Sequence, residues 1–288
     1  MKLLVVSRIF LVFTLLMPLM GLHAAAQAPQ SGETLALPLL FDPREKPQKP
    51  DLSAIRRVRF ITTVDYPPFN FIDQFGKISG FHVDLAREIC KELNILDRCQ
   101  IEALPFAEAR TALDNGDGEV LATGLKITPE LREAYRFSRP FLELPARFMI
   151  NKADLKTVLT PENLAGKQVG VLAKTKHEQM AKAYFPAITL RPFEDREALY
   201  KALRDRTIAA AYGDSLAFSF WTESEGAEDC CRLLRGPYYS SHFFGEGLAL
   251  MSRKDMPQLA RAIDAALIML ARSGRLNEIY LRYFPSGL

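Results

Sequence analysis

The sequence predicts an α/β protein made of two similar strand–helix units joined by two crossing segments. Three observations predict it. Strand-like and helix-like stretches alternate from residue 57 onward, the pattern of a mainly parallel sheet covered by helices. The alternation restarts after "LPARFMINK". A strand-like "LALMSR" and a long amphipathic stretch then bring the chain back. A chain of 288 residues, 48% of them hydrophobic, can bury the cores of one large domain or two small ones.

In the first unit, residues 59–64 read as a buried strand, and "FNFIDQFGKISGF" as a hairpin around Gln74, Phe75 and Gly76. Residues 84–93 have helical spacing, with Leu85, Ile89 and Leu93 on one face. "CQIEAL" is a strand, "FAEARTALDNG" a helix closed by Gly116, and "EVLAT" a strand. In the second unit "GKQVGVL", "AITLRPF" and "IAAAYG" are strands, alternating with helices in "TKHEQMAKAY", "REALYKALRD" and "DSLAFSFW". In the late helix, Leu259, Ile263, Ala266 and Leu270 share a face. No internal repeat is visible at the level of residues.

The first 26 residues read as a cleavable signal peptide. Lys2 and Arg8 precede an apolar run too short to span a bilayer, and Ala24, Ala25 and Ala26 supply a small-residue cleavage site. An uncleaved anchor is the alternative. Residues 27–52, rich in Pro, Gln and Lys, read as an extended leader. Without Lys2 and Arg8 the balance is 35 basic against 34 acidic residues, a net of +1. That gives no general attraction to nucleic acid or membrane. The four cysteines suit an oxidising compartment. Cys90 ends a helix and Cys99 starts the next strand, positions that can approach the ~5.5 Å Cα spacing of a disulfide. Cys230 and Cys231 are adjacent, and free thiols, a vicinal ring or an intermolecular link are all open to them. No cysteine or histidine spacing suits zinc, and no cofactor is expected.

Five blocks in order carry a resemblance: "DYPPFNFIDQFGKISGFHVDLAREIC", "GLKITPELREAYRFSRPF", "LAGKQVGVLAKTKHEQM", "AAAYGDSLA" and "FFGEGLALMSRKD…LARSGRLNEIYLRYF". Together they resemble the family 3 bacterial solute-binding proteins, the amino-acid receptors of ABC importers, over residues 57–284. The resemblance implies a two-lobe periplasmic-binding-protein-like fold of type II with two crossover hinge strands. Lobe 1 would be residues 53–144 plus 238–288 and lobe 2 residues 145–237, with hinges near 143–147 and 235–239. It also implies the Cys90–Cys99 disulfide found in several members.

By that resemblance Tyr66 and Phe106 are aromatic walls, able to offer apolar area and cation–π attraction. A core role is the alternative for each. Thr63 stands where some basic-amino-acid receptors carry a carboxylate. Thr123 and Gly124 match strand-end ligand contacts. Thr175 matches the second-lobe loop that opens a helix, where free N–H groups favour an anion. In that loop Lys174 replaces the usual glycine; it and His177, one turn on, are read as solvated surface. Asp214 matches the carboxylate that pairs with a ligand ammonium, since a buried ammonium needs a charged partner; helix capping is its alternative. In "GLKITPELREAYRFS" the arginine expected three places after Thr128, to grip a ligand carboxylate, is replaced by Leu131. With Thr128 as N-cap and Pro129 at the first helical position, Arg132 is rotated by roughly 100°. Lys126 or Arg132 restores the contact, or the ligand lacks a carboxylate; a surface Arg132 that pairs with nearby carboxylates is the alternative.

These readings imply a monomeric periplasmic receptor that hands a small polar solute, an amino acid or relative, to an ABC permease. An enzyme resembling cyclohexadienyl dehydratase is the second class, with Asp214, Glu246 and His177 as its possible acids. No paired acid/base motif supports it. A sensory module is the third class and would be expected to continue into a membrane helix and a signalling domain.

Overall fold

A computed structural model describes residues 40–288 except 43, 126, 159 and 286. The signal-peptide reading and Lys126 lie outside the described residues. Two five-stranded sheets, one small sheet and nine α-helices are present among the described residues.

The chain enters with β1 (Val58–Thr62), then β2 (Asp65–Tyr66), β3 (Asn70–Ile72) and β4 (Ile78–Ser79), which form the small antiparallel sheet and its hairpin. Helix α1 (Phe81–Glu92) follows, then β5 (Cys99–Ala103), α2 (Phe106–Asn115), β6 (Val120–Leu121), α3 (Pro129–Ala134) and β7 (Tyr135–Phe137). The chain then crosses to β8 (Ala146–Asn151), β9 (Gln168–Leu172), α4 (Lys176–Tyr184), β10 (Thr189–Phe193), α5 (Arg196–Arg204), β11 (Ala210–Asp214), α6 (Ser215–Thr222) and β12 (Cys231–Leu233). It returns through α7 (Ser241–Phe244) to β13 (Met251–Arg253), α8 (Pro257–Arg272) and α9 (Arg275–Tyr283).

The sheets share one design. The first runs β5-β1-β6-β13-β7 and the second β10-β9-β11-β8-β12. In each, three parallel strands lie in the order second-first-third. In each, the next strand arrives from the other unit and therefore runs antiparallel, pairing β13 with β6 and β8 with β11. The expectation of a mainly parallel sheet is corrected to half parallel and half antiparallel pairing. The two units are alike in topology although no repeat is legible in their residues. The crossing segments touch through paired hydrogen bonds between Ala146 and Tyr238, 3.0 and 2.9 Å.

Both large sheets are covered on both faces, which is why β1, β8 and β11 read as apolar runs rather than alternations. The first sheet packs Phe60 and Val58 against α1, α8 and α9, and Ile61 and Leu121 against α2. The second packs Phe148 and Val169 towards α4, and Met149 and Ala211 towards α5 and α6. Leu259, Ile263, Ala266 and Leu270 are all buried, as their spacing requires. Helix α1 begins at residue 81 rather than 84. Its N-cap Gly80 has φ +132°, and a Cβ there would lie 2.1 Å from the Phe69 carbonyl oxygen, so only glycine fits. The Cys90–Cys99 disulfide is formed across a Cα separation of 6.2 Å. Cys230 and Cys231 are bonded to each other.

Residues 44–52 contain no helix or strand, yet the stretch from Phe41 to Leu52 is tied to the first unit. Phe41 and Leu52 are buried in its core. Arg98 Nη1 donates to the Leu52 and Ile55 carbonyls at 3.1 and 2.7 Å, and Lys49 Nζ lies 2.9 Å from Glu92 Oε1. Leu52→Ala is expected to lower unfolding stability by about 2–3 kcal/mol through lost burial and a residual cavity. Urea unfolding reads this directly; an unchanged midpoint would mean that the stretch contributes nothing to the core.

Candidate functional site

Strand order points to a candidate site. In each sheet the first strand is flanked by the second on one side and the third on the other, so the connections diverge and leave a crevice at the carboxyl ends. Thr63 follows β1, Phe106 starts α2 three residues after β5, and Thr123 and Gly124 follow β6. In the second sheet Thr175 follows β9 and Asp214 ends β11.

On the first unit, Gly124 has φ +72°, and a Cβ there would stand 3.0 Å from Tyr66 Cε1. Glycine therefore lets the Tyr66 ring lie against the strand-end backbone. The ring is held by stacking on Phe69 at 4.8 Å between centroids. Burial raises the Tyr66 hydroxyl pKa, and the charge of Asp214 raises it further. A residue of the first unit and one of the second are thus within electrostatic reach. Phe106 is 53% exposed, whereas Thr63 is buried. Phe106, Thr123 and Leu131 line one cavity of about 250 Å³.

On the second unit, Asp214 accepts a hydrogen bond from Ala217 N–H at 3.1 Å and so caps α6. Its charge also acts on Tyr66, His177 and Tyr200. Thr175 caps α4: its hydroxyl accepts from Glu178 N–H at 3.2 Å and donates to the Leu172 carbonyl at 2.7 Å. That hydroxyl proton is committed inside the loop. Lys174 has φ +61°, the left-handed backbone that glycine adopts most readily. Its ammonium is exposed and lies 3.5 Å from Glu194. His177 is corrected from solvated surface to a half-buried ring, tilted 35° against Phe244 at 4.8 Å between centroids. Burial lowers its pKa, with Asp214 opposing the shift and Arg196 adding to it.

In the stretch that departs from the expected motif, Thr128 accepts from Leu131 N–H at 3.3 Å and Pro129 opens α3. The one-place displacement then has a plain consequence. Leu131 faces the cavity, while Arg132 points to an ion pair with Glu246 and lies 6.0 Å over the Phe137 ring.

Two residues at the site escaped the sequence reading. Arg110 lines the same cavity as Phe106. Its spacing of four residues, one helical turn, was the available signal. His82 is fully buried beside Gly124, with Cε1 3.6 Å from where a Cβ would stand. Both of its ring nitrogens lack hydrogen-bond partners, as do both amide atoms of Asn70 and the Thr123 hydroxyl. No group of three or more His, Cys, Asp or Glu residues among the described residues can hold a metal ion.

Two α/β units of one strand order, joined by two crossing segments that pair at Ala146 and Tyr238, have the architecture of a two-lobe binding protein. The chain belongs to the bacterial extracellular solute-binding proteins, family 3, matched over residues 58–286. It is 27% identical over 232 residues to the putative ABC transporter arginine-binding protein 2 of Escherichia coli K12, covering 81% of this chain and 92% of that protein. It is 26% identical to the histidine-binding periplasmic protein of the same organism, covering 80% and 88%. Its fold is similar to substrate-binding domain 2 of GlnP from Lactococcus lactis in the open conformation, with a TM-score of 0.68, 17% identity, and coverage of 84% and 100%.

Proposed function

We propose that this protein is the periplasmic receptor of an ABC importer, exported by a cleavable signal peptide, and that it binds an amino acid or close relative in the crevice between its two lobes. The observation that carries this reading is Asp214, which ends β11 with its carboxylate held by the cap of α6 and its charge acting on Tyr66 of the first unit. A ligand ammonium entering there meets a carboxylate already fixed by the cap of α6 and an aromatic face at Tyr66. Lobe 1 comprises residues 53–144 and 238–288, and lobe 2 residues 145–237. They close about the paired segments at Ala146 and Tyr238. The closed monomer is the form that the membrane permease reads, and the ligand is released unchanged.

A thermal-shift screen of the mature protein against the twenty standard L-amino acids tests the reading. At a ligand concentration of 100 Kd, stabilisation is about 2.7 kcal/mol, or roughly 5–10 °C for a chain of this size. No shift with any amino acid contradicts the reading. Conversion of prephenate or arogenate by the purified protein contradicts the receptor role.

A further inference from the structure

The bond between Cys230 and Cys231 joins neighbours in the chain, a sequence separation of 1, whereas Cys90–Cys99 spans 9. A disulfide stabilises chiefly by restricting the unfolded chain, and the effect grows with the loop it closes. A ring of two adjacent residues closes almost no loop, so what it fixes is the local backbone. Glu228 and Asp229, directly before the ring, have φ +50° and +52°. Non-glycine residues keep such left-handed values only where their surroundings fix them. Here Arg204 Nη1 donates to the Gly226 carbonyl at 2.7 Å and pairs with Glu228 at 3.0 Å. Cys230 N–H donates to the Ala227 carbonyl at 2.9 Å, and the Cys230 carbonyl accepts from Lys152 N–H at 2.7 Å. The two cysteines differ in access. Cys231 opens β12 and is 3% exposed, in one apolar cluster with Met149, Leu203 and Phe218, while Cys230 is half-buried at its edge. Trp221, the only tryptophan of the chain, packs on the same cluster and stacks on Tyr200 at 4.4 Å between centroids. Its Nε1 lies 3.7 Å from where a Cβ on Gly226 would stand, so the indole adjoins the turn that the ring closes.

We propose that the Cys230–Cys231 ring is a redox-active site that takes a dithiol reductant and switches the turn over residues 223–230 between a held and a released form. A thiolate of the dithiol attacks Cys230 Sγ, on the more open residue, and forms a mixed disulfide. The bond to Cys231 breaks, and Cys231 leaves as a thiolate that takes up one proton. The second thiol of the dithiol then attacks the reductant sulfur bound to Cys230. That closes the reductant's own disulfide and releases Cys230, which takes up the second proton. Two electrons and two protons pass from the dithiol to the protein, and no other reactant is needed. The Cys90–Cys99 bond is protected by comparison, since Cys90 is fully buried in the core of the first unit. Helix α6 carries Trp221 near its end and Asp214 as its N-cap, so the switching turn and the candidate site share one helix.

Stepwise reduction of the folded protein with dithiothreitol, followed by alkylation and peptide mass spectrometry, tests this. Cys230 and Cys231 are expected to be labelled at a dithiothreitol concentration at least about tenfold below that which labels Cys90 and Cys99. Trp221 emission should change over the same range while far-ultraviolet circular dichroism stays constant. It should return when the reductant is replaced by oxidised glutathione. The double variant Cys230→Ser/Cys231→Ser should show no emission change over that range. Labelling of Cys90 and Cys99 first or in step overturns the proposal, as does labelling of Cys230 and Cys231 only on unfolding. So does reduction of the ring that leaves Trp221 emission unmoved or changes it irreversibly, or the same emission change in the double variant. Should the double variant not fold, labelling set against emission in wild type still decides.

Discussion

Asp214→Asn is expected to weaken amino-acid binding at least tenfold, and by about 2–4 kcal/mol if the ammonium is fully desolvated in the closed cleft. The substitution is chosen to separate two roles. Asparagine is as good an N-cap as aspartate, so the hydrogen bond from Ala217 N–H can persist while the charge goes. Asp214→Ala removes both, adding about 1 kcal/mol of lost stability to the same loss of affinity. An acid that only capped α6 would give the reverse pattern: normal binding in Asp214→Asn and a stability loss in Asp214→Ala. Calorimetry with the best amino acid from the thermal screen, together with denaturant unfolding of both variants, distinguishes the two.

The second large effect is on stability and comes from His82. Its ring is enclosed by Phe69, Phe81 and Phe141, at 5.1, 5.9 and 5.7 Å between centroids, and burial pushes its pKa down to about 3. The unfolded chain protonates this histidine near 6.5, the folded protein only near 3. Between those values the unfolded state holds the extra proton, so stability falls as the pH falls. The loss approaches 1.36 kcal/mol per pH unit, or about 2 kcal/mol between pH 7 and pH 5. His177, also lowered by burial, acts in the same direction. His82→Leu should remove most of the His82 share of this slope. It should also leave stability at pH 7 equal or higher, since two buried nitrogens without partners are replaced by carbon. If wild type and His82→Leu lose stability in parallel from pH 7 to pH 5, His82 is not the source.

Local chemistry was legible in the sequence wherever it was periodic or capped. The buried face of α8, the N-cap at Thr128, the cap at Asp214 and the Cys90–Cys99 bridge all depend on residues close along the chain. The antiparallel half of each sheet was not legible, because β8 and β13 each arrive from the other unit and nothing local encodes a partner so far away. The anchoring of Phe41 and Leu52 was hidden behind a polar, proline-rich composition that reads as leader. Helix α9 carries a readable signal too, with Leu276, Ile279 and Tyr280 buried at helical spacing. At the site, attention to "GLKITPELREAYRFS" fixed on Lys126 and Arg132. The cation that shares the cavity with Leu131 comes instead from α2, a different helix, and no spacing within the motif reaches it. His177 and His82 were unreadable for a simpler reason: burial of a single histidine is set by what packs on it from elsewhere.

The central claim is that Asp214 and Tyr66 bind one amino acid between the two lobes. A crystal structure of the protein with the amino acid that gives the largest melting shift tests it most directly. The expected structure has the ligand ammonium about 2.7–2.9 Å from an Asp214 carboxylate oxygen, with the Tyr66 ring against the ligand and the two lobes closed over it. A ligand held without contact to Asp214, or bound outside the crevice between the two sheets, would contradict it.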